Sequence, residues 1–206
     1  MLFAGTLVVS AEQKNVASRE QFPLGPEAPV IGNPTGDVTI VEWFDYQCSY
    51  CKTLSPELEK IIKDDGHVRL VLRDWPILGP PSPDVSRLVL ATRYQGKFEA
   101  AHRAVMVRVG RLTMSVVDET LAAAGVDVTR AKADLKRHRA EIEALLARNN
   151  EQAREFGFSV VPSFFIGTIR VPGSLEPDDL KRVIADVRAK AKQDNKVAPA
   201  ETENGK

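Results

Sequence analysis

Val38-Thr39-Ile40-Val41-Glu42-Trp43-Phe44-Asp45-Tyr46-Gln47-Cys48-Ser49-Tyr50-Cys51 decides how this chain is read. Val38 to Phe44 is β-branched and aromatic, which marks a buried strand. Glu42 interrupts its apolar run, and a carboxyl placed in such a strand calls for a physical reason. From about Ser49 to Asp64 the pattern changes to a helix, with Leu54, Leu58, Ile61 and Ile62 on one face. Pro56 should kink that helix, and Gly66 ends it. Cys48 and Cys51 are the chain's only two cysteines, and they fall at the strand-to-helix junction. The first sulfur is then expected at the positive end of the helix, where free backbone N–H groups and the dipole stabilise a thiolate. The second sits one turn inside, close enough to close a small disulfide.

Other uses of two cysteines fit less well. Zinc needs four protein ligands, or three and water. His67, His102 and His138 are scattered singly, with no second cysteine pair, so no metal site is expected within one chain. Inert buried thiols fit poorly with the polar Ser49-Tyr50 dipeptide between them. A structural disulfide spanning two residues closes too short a loop to stabilise much. Redox chemistry is the reading that remains.

Outward from this stretch, Glu12 to Asp37 is polar and proline-bearing and reads as an extended lead-in. Val68 to Trp75 reads as a second strand and Pro76 to Pro81 as a loop. A helical block follows. Ser82-Pro83 reads as an N-cap with proline at the first helical position, opening a helix to Gln95. Lys97 to Val109 is a second helix. Ser115 to Asp118 opens a third with a capping-box-like start. Asp127 or Thr129 starts one long helix to about Phe156, with His138 on its apolar stripe. The β pattern returns in Ser163 to Ile166 and Ile169 to Val171. Pro177 to Lys192 is a closing amphipathic helix, and the last polar residues read as a disordered tail.

The 206 residues, 43% of them hydrophobic, suit one domain with an insertion. Lys+Arg and Asp+Glu stand at 28 each, so no net field points to nucleic acid. No run approaches the ~20 apolar residues of a membrane span, and no stable membrane insertion of the mature chain is expected. Leu2 to Ser10 is small and apolar, and Val9-Ser10-Ala11 resembles a signal-peptidase site. Residues 1–11 are therefore read as the remnant of a signal peptide, with a frayed cytosolic N-terminus as the alternative.

The stretch quoted above, together with Phe158-Ser159-Val160-Val161-Pro162-Ser163-Phe164-Phe165-Ile166-Gly167 and Arg73-Asp74-Trp75-Pro76-Ile77-Leu78-Gly79, resembles the DsbA-like thiol–disulfide oxidoreductases of the thioredoxin superfamily. The resemblance covers Val30 to Lys192. It implies an α/β thioredoxin fold, residues 30–81 and 157–192, carrying an inserted all-helical domain, residues 82–156, between a lead-in at 1–29 and a tail at 193–206. It implies that Cys48 is the nucleophile and Cys51 its partner. Ser49 and Tyr50 then tune the potential. Pro162 is the family's cis-proline, presenting the Val161 backbone to an extended substrate. Glu42 matches the buried acid that moves the second cysteine's proton, with a salt bridge to Arg73 as its structural alternative. The central dipeptide is Ser-Tyr, not Pro-His, which leaves oxidising strength open.

The resulting expectation is an enzyme without cofactor that exchanges disulfides with unfolded or cysteine-containing polypeptides and is recycled by a redox partner. Disulfide donation in the periplasm or another extracytoplasmic space is the leading version. A reductase or isomerase, a cytoplasmic thiol reductase, and a soft-metal protein sharing Cu(I) between two cysteine pairs are the alternatives.

Overall fold

The structure, a computed structural model, describes residues 28–197. The proposed signal-peptide remnant at 1–11, most of the lead-in and the last residues of the tail lie outside the described residues. Five strands form one sheet in the order β1-β3-β2-β4-β5. These are β1 (Val30–Gly32), β2 (Val38–Phe44), β3 (Val68–Asp74), β4 (Ser163–Ile166) and β5 (Ile169–Pro172). The central pair β2–β3 is parallel, joined by helix α1 (Ser49–Asp65), and the other pairings are antiparallel. Strand β1 is an addition to the sequence reading, which took these residues into the lead-in. Its three residues carry no periodicity of their own and form a strand by pairing with β3 at the sheet edge.

Both faces of the sheet are covered, which is why β2 and β3 read as continuous apolar runs and not as alternating ones. Successive side chains still point to opposite faces. Ile40 and Phe44 enter the larger core with Leu54 and Leu58 of α1. Val41 and Trp43 enter a second cluster with Trp75, Ala153, Phe158 and Phe165. Each such fully buried side chain contributes about 1.5–3 kcal/mol. By the same alternation Glu42 points to the α1 face.

The insertion between β3 and β4 comprises α2 (Ser82–Ala91), a 3-10 turn (Thr92–Gln95), α3 (Phe98–Met106), α4 (Met114–Ala123), α5 (Val128–Arg137) and α6 (Arg139–Glu155). The closing helix α7 (Pro177–Val197) extends five residues beyond the expected end at Lys192, into what the sequence suggested was disordered tail. Lys192 to Val197 carries no apolar stripe, so periodicity lost the helix there.

The long helix expected over 127–156 is two helices. His138 leaves helical geometry at φ −107° and ψ 21°, its N–H closing α5 on the Asp134 carbonyl. The break lets α5 stay with the insertion while α6 runs on to the far face of the sheet, where Asn149 accepts from the Trp43 indole N–H at 2.9 Å. His138 stacks on Tyr94 with ring centroids 3.7 Å apart and is a boundary residue. Two capping assignments also differ. Pro81 occupies the cap position of α2, and the Ser82 hydroxyl donates to the Asp45 carboxylate instead of capping. Thr113, not Ser115, caps α4 by accepting from Val116 N–H. Asp127, one of the two starts read from the sequence, caps α5 by accepting from Arg130 N–H.

Candidate redox site

Helix α1 begins directly behind Cys48, whose extended backbone (φ −70°, ψ 117°) puts its sulfur at the N-cap. There Sγ accepts the Cys51 backbone N–H at 3.2 Å. An orphan amide and the positive end of the helix thus face one sulfur. The hydrogen bond from the Cys51 side chain is the leading cause that lowers the Cys48 pKa, with the backbone amides of Cys51 and Tyr50 adding to it. Burial opposes them, and the result is about 7. Cys51 is buried one turn on, and burial, reinforced by the hydrogen bond to Cys48, raises its pKa far above the usual thiol range. The two thiols are therefore unequal. One is poised to ionise near neutrality, and the other is held protonated.

Around Cys48 the chain is pinned by polar contacts. Asp45, fully buried, accepts from Gln47 N–H at 2.8 Å, from Leu78 N–H at 2.9 Å and from the Ser82 hydroxyl at 2.5 Å. The Gln47 side chain donates to Gly79 O and Ser82 Oγ. Tyr46 shares a 3.0 Å hydrogen bond with His102 of α3, a histidine whose pKa burial lowers to about 3 and which is therefore neutral. Redox turn, β3 exit loop and insertion are thereby tied together. Sequence reasoning did not assign Asp45, Tyr46 or His102 a part here. Adjacency to Cys48 was the one signal for the first two, and no signal in the sequence joined His102 to them.

On the other side of the sulfur, Cys48 Sγ lies 3.4 Å from the Val161 carbonyl oxygen. The Val161–Pro162 peptide bond is cis. Residues 113 positions apart thus meet. Ser49 and Tyr50 are exposed, Tyr50 at 68%.

Glu42 is buried beneath this arrangement, opposite Leu72 and Phe164 in the neighbouring strands. Its Oε1 has no hydrogen-bond partner among the described residues. Burial, with the nearby Cys48 and Glu59 charges adding to it, raises its pKa to about 8. The Arg73 alternative is not met. Arg73 is in register with Trp43, one residue along, so it faces the opposite side of the sheet and donates to Asn149 Oδ1 at 3.3 Å. No group of three or more His, Cys, Asp or Glu suited to hold a metal occurs among the described residues. Among them, too, no helix is long and apolar enough to cross a membrane.

A Thioredoxin family model matches residues 25–186. The chain belongs to the thioredoxin family. It is similar to a thioredoxin-like oxidoreductase from Silicibacter pomeroyi DSS-3, at 38% identity and a TM-score of 0.79, over 84% of this chain and 99% of that one. A periplasmic thioredoxin-like protein from Salmonella enterica serovar Typhimurium is 27% identical over 80% of this chain and 91% of its own, with a TM-score of 0.70. The thiol–disulfide exchange protein α-DsbA2 from Wolbachia pipientis shares the fold at 23% identity and a TM-score of 0.75, over 79% and 88% of the two chains. The thioredoxin fold with a helical insertion is thus established, and the likeness to the Silicibacter protein supports an oxidoreductase. Among curated proteins, the Na(+)/H(+) antiporter NhaA 1 of Mycolicibacterium gilvum is 24% identical over 79% of this thioredoxin-family chain but only 27% of its own length. The chain spans about a quarter of the length of the curated relatives it matches.

Proposed function

We propose that this thioredoxin-family chain exchanges disulfides with cysteine-bearing polypeptides outside the cytoplasm, with Cys48 as nucleophile, Cys51 as resolving thiol and Glu42 as the base for the Cys51 proton. The observation that carries the proposal is the inequality of the two thiols at one helix N-terminus. Cys48 is pulled down to about 7, while burial holds Cys51 protonated. In the reducing direction the Cys48 thiolate attacks one sulfur of a substrate disulfide and expels the other as a thiolate. Cys51 then gives its proton to the Glu42 carboxylate and attacks the Cys48 sulfur. The second substrate sulfur leaves as a thiolate, the cysteine pair is oxidised and the substrate is reduced by two electrons. Oxidation of a substrate dithiol runs the same steps backwards.

Val161 and Pro162 are proposed as the substrate-binding edge, since the Val161 backbone beside Cys48 suits strand-like pairing with an extended chain. Ser49 and Tyr50 are proposed to tune Cys48 and meet the substrate. The extracytoplasmic location is supported by the likeness to the periplasmic Salmonella protein. A redox protein that recycles Cys48 and Cys51 completes the cycle.

One observation favours reduction or isomerisation over disulfide donation. A nucleophile at about 7 matches thioredoxin, roughly 7, and not the strong oxidant DsbA, roughly 3.5. Two measurements test the function. Cys48→Ala should abolish exchange, while Cys51→Ala should accumulate mixed disulfides visible by non-reducing electrophoresis. Full turnover in Cys51→Ala with nothing trapped would reverse the assignment of roles. The direction is read from the equilibrium potential against glutathione. A value near thioredoxin's roughly −270 mV supports reduction, and one well above it supports donation.

A further inference from the structure

A cavity of about 540 Å³ adjoins the redox turn and is not used by the exchange chemistry. Gln47 and Ser49, the chain neighbours of Cys48 on either side, line it, as do Lys52 and the segment after α3 with Arg108, Val109 and Arg111. No acidic residue lines it among the described residues. Arg108 and Arg111 are exposed and form no ion pair among the described residues, whereas Arg87, Arg103 and Arg188 each bond two carboxylates. Val109 between them is 85% exposed.

This segment is held in place from the redox helix itself. Lys52, directly after Cys51, donates its ammonium group to the carbonyls of Val105 at 2.6 Å, Met106 at 3.4 Å and Arg108 at 3.1 Å. These carbonyls lie at and just beyond the end of α3, where a cation is favoured, and that of Val105 also accepts the Arg108 N–H at 3.3 Å. The lysine is thereby engaged with backbone, and the two guanidinium groups beyond it face solvent.

We infer that Arg108 and Arg111 are specificity-determining residues that select substrate segments carrying a carboxylate within a few residues of the reacting cysteine. The inference rests on the proposed exchange at Cys48. A substrate cysteine bonded to Cys48 is tethered there, and its flanking residues advance at most ~3.6 Å each. The cavity begins at the immediate neighbours of Cys48, so those flanking residues reach it. Tethering raises the local concentration of a flanking carboxylate, so that even solvent-exposed pairs become useful. Guanidinium groups suit the role because they can bind a carboxylate through two parallel hydrogen bonds. Val109 offers an apolar contact between the two charges.

The test is thiol–disulfide exchange of the full chain with two model peptide disulfides of equal length, one with aspartates and one with lysines flanking the cysteine, at pH 7. The wild type should favour the acidic peptide by about tenfold in kcat/KM at low salt, from two exposed pairs of up to about fivefold each. The preference should shrink at ~0.5 M salt as screening shortens to a few ångström. Arg108→Glu/Arg111→Glu should invert it, and Arg108→Lys/Arg111→Lys should retain most of it. Equal use of both peptides by the wild type, or a preference untouched by the double glutamate variant, would overturn the inference while leaving exchange intact. Exchange with neither peptide would instead sink the underlying activity.

Discussion

Replacing Glu42 with glutamine removes one ionisable proton from the centre of the sheet and keeps the shape and a polar end. In an unfolded chain this carboxyl titrates near its ordinary 4.5, and in the fold only near about 8. Between these values the folded protein holds a proton that the unfolded chain releases, so stability falls as pH rises from 4.5 and levels off above about 8. At 1.36 kcal/mol per pH unit the loss is about 3 kcal/mol by pH 7 and about 5 kcal/mol above pH 8, both upper values. Glu42→Gln lacks this slope. Urea denaturation of the reduced protein and the variant at pH 5, 6, 7 and 8 should therefore give a stability difference that grows in favour of the variant with pH. Asp74, buried and raised to about 7, slopes the same way in both proteins and cancels in the difference. Because the Cys48 charge is the second cause of the shift, the effect should be smaller in the oxidised protein. A difference constant within ~0.5 kcal/mol across this range would refute the account of Glu42 as a desolvated acid. If Glu42 is also the base, the variant should resolve mixed disulfides at least ~100-fold more slowly, the lower end for general base catalysis.

Two further outcomes follow from the same geometry. The Cys48 thiolate absorbance should titrate near pH 7, and Cys51→Ala should move its midpoint up by about one to two units, since a hydrogen bond to a charged group contributes about 1.5–3 kcal/mol. An unmoved midpoint would show that the helix terminus alone sets the thiolate. Asn149→Ala removes the donor to the Asp74 carbonyl at 3.0 Å and the acceptor for Arg73, both buried, and should lower stability by about 2–4 kcal/mol in urea denaturation. A loss under ~0.5 kcal/mol would mean that the Asn149 side chain adds little to holding α6 on the sheet.

Much of the site was legible because its central part is local. Cys48 and Cys51 sit one turn apart at a strand-to-helix junction, and that spacing places one sulfur on a helix N-terminus and the other one turn inside, where the fold buries it. Glu42 was noticed because a carboxyl in an apolar strand violates the pattern around it. Capping was less legible. Ser82 has the right residue type for an N-cap, yet a buried carboxylate from β2's end takes its hydroxyl. The break at His138 left no mark in the apolar periodicity, because each half keeps its own buried face and the change of direction answers to the far side of the sheet.

The sequence by itself determined the redox pair, the α/β order of elements, the position of the helical block and the anomalous acid in β2. These depend on periodicity, composition and spacing along the chain. Tertiary structure alone decided which face of the sheet Glu42 takes, that Arg73 takes the other, and that Arg108 and Arg111 flank a cavity beside the redox turn. Each is a contact between segments far apart in the chain. Strand register, a helix break and the docking of the insertion set such contacts, and none of the three has a local signature strong enough to read.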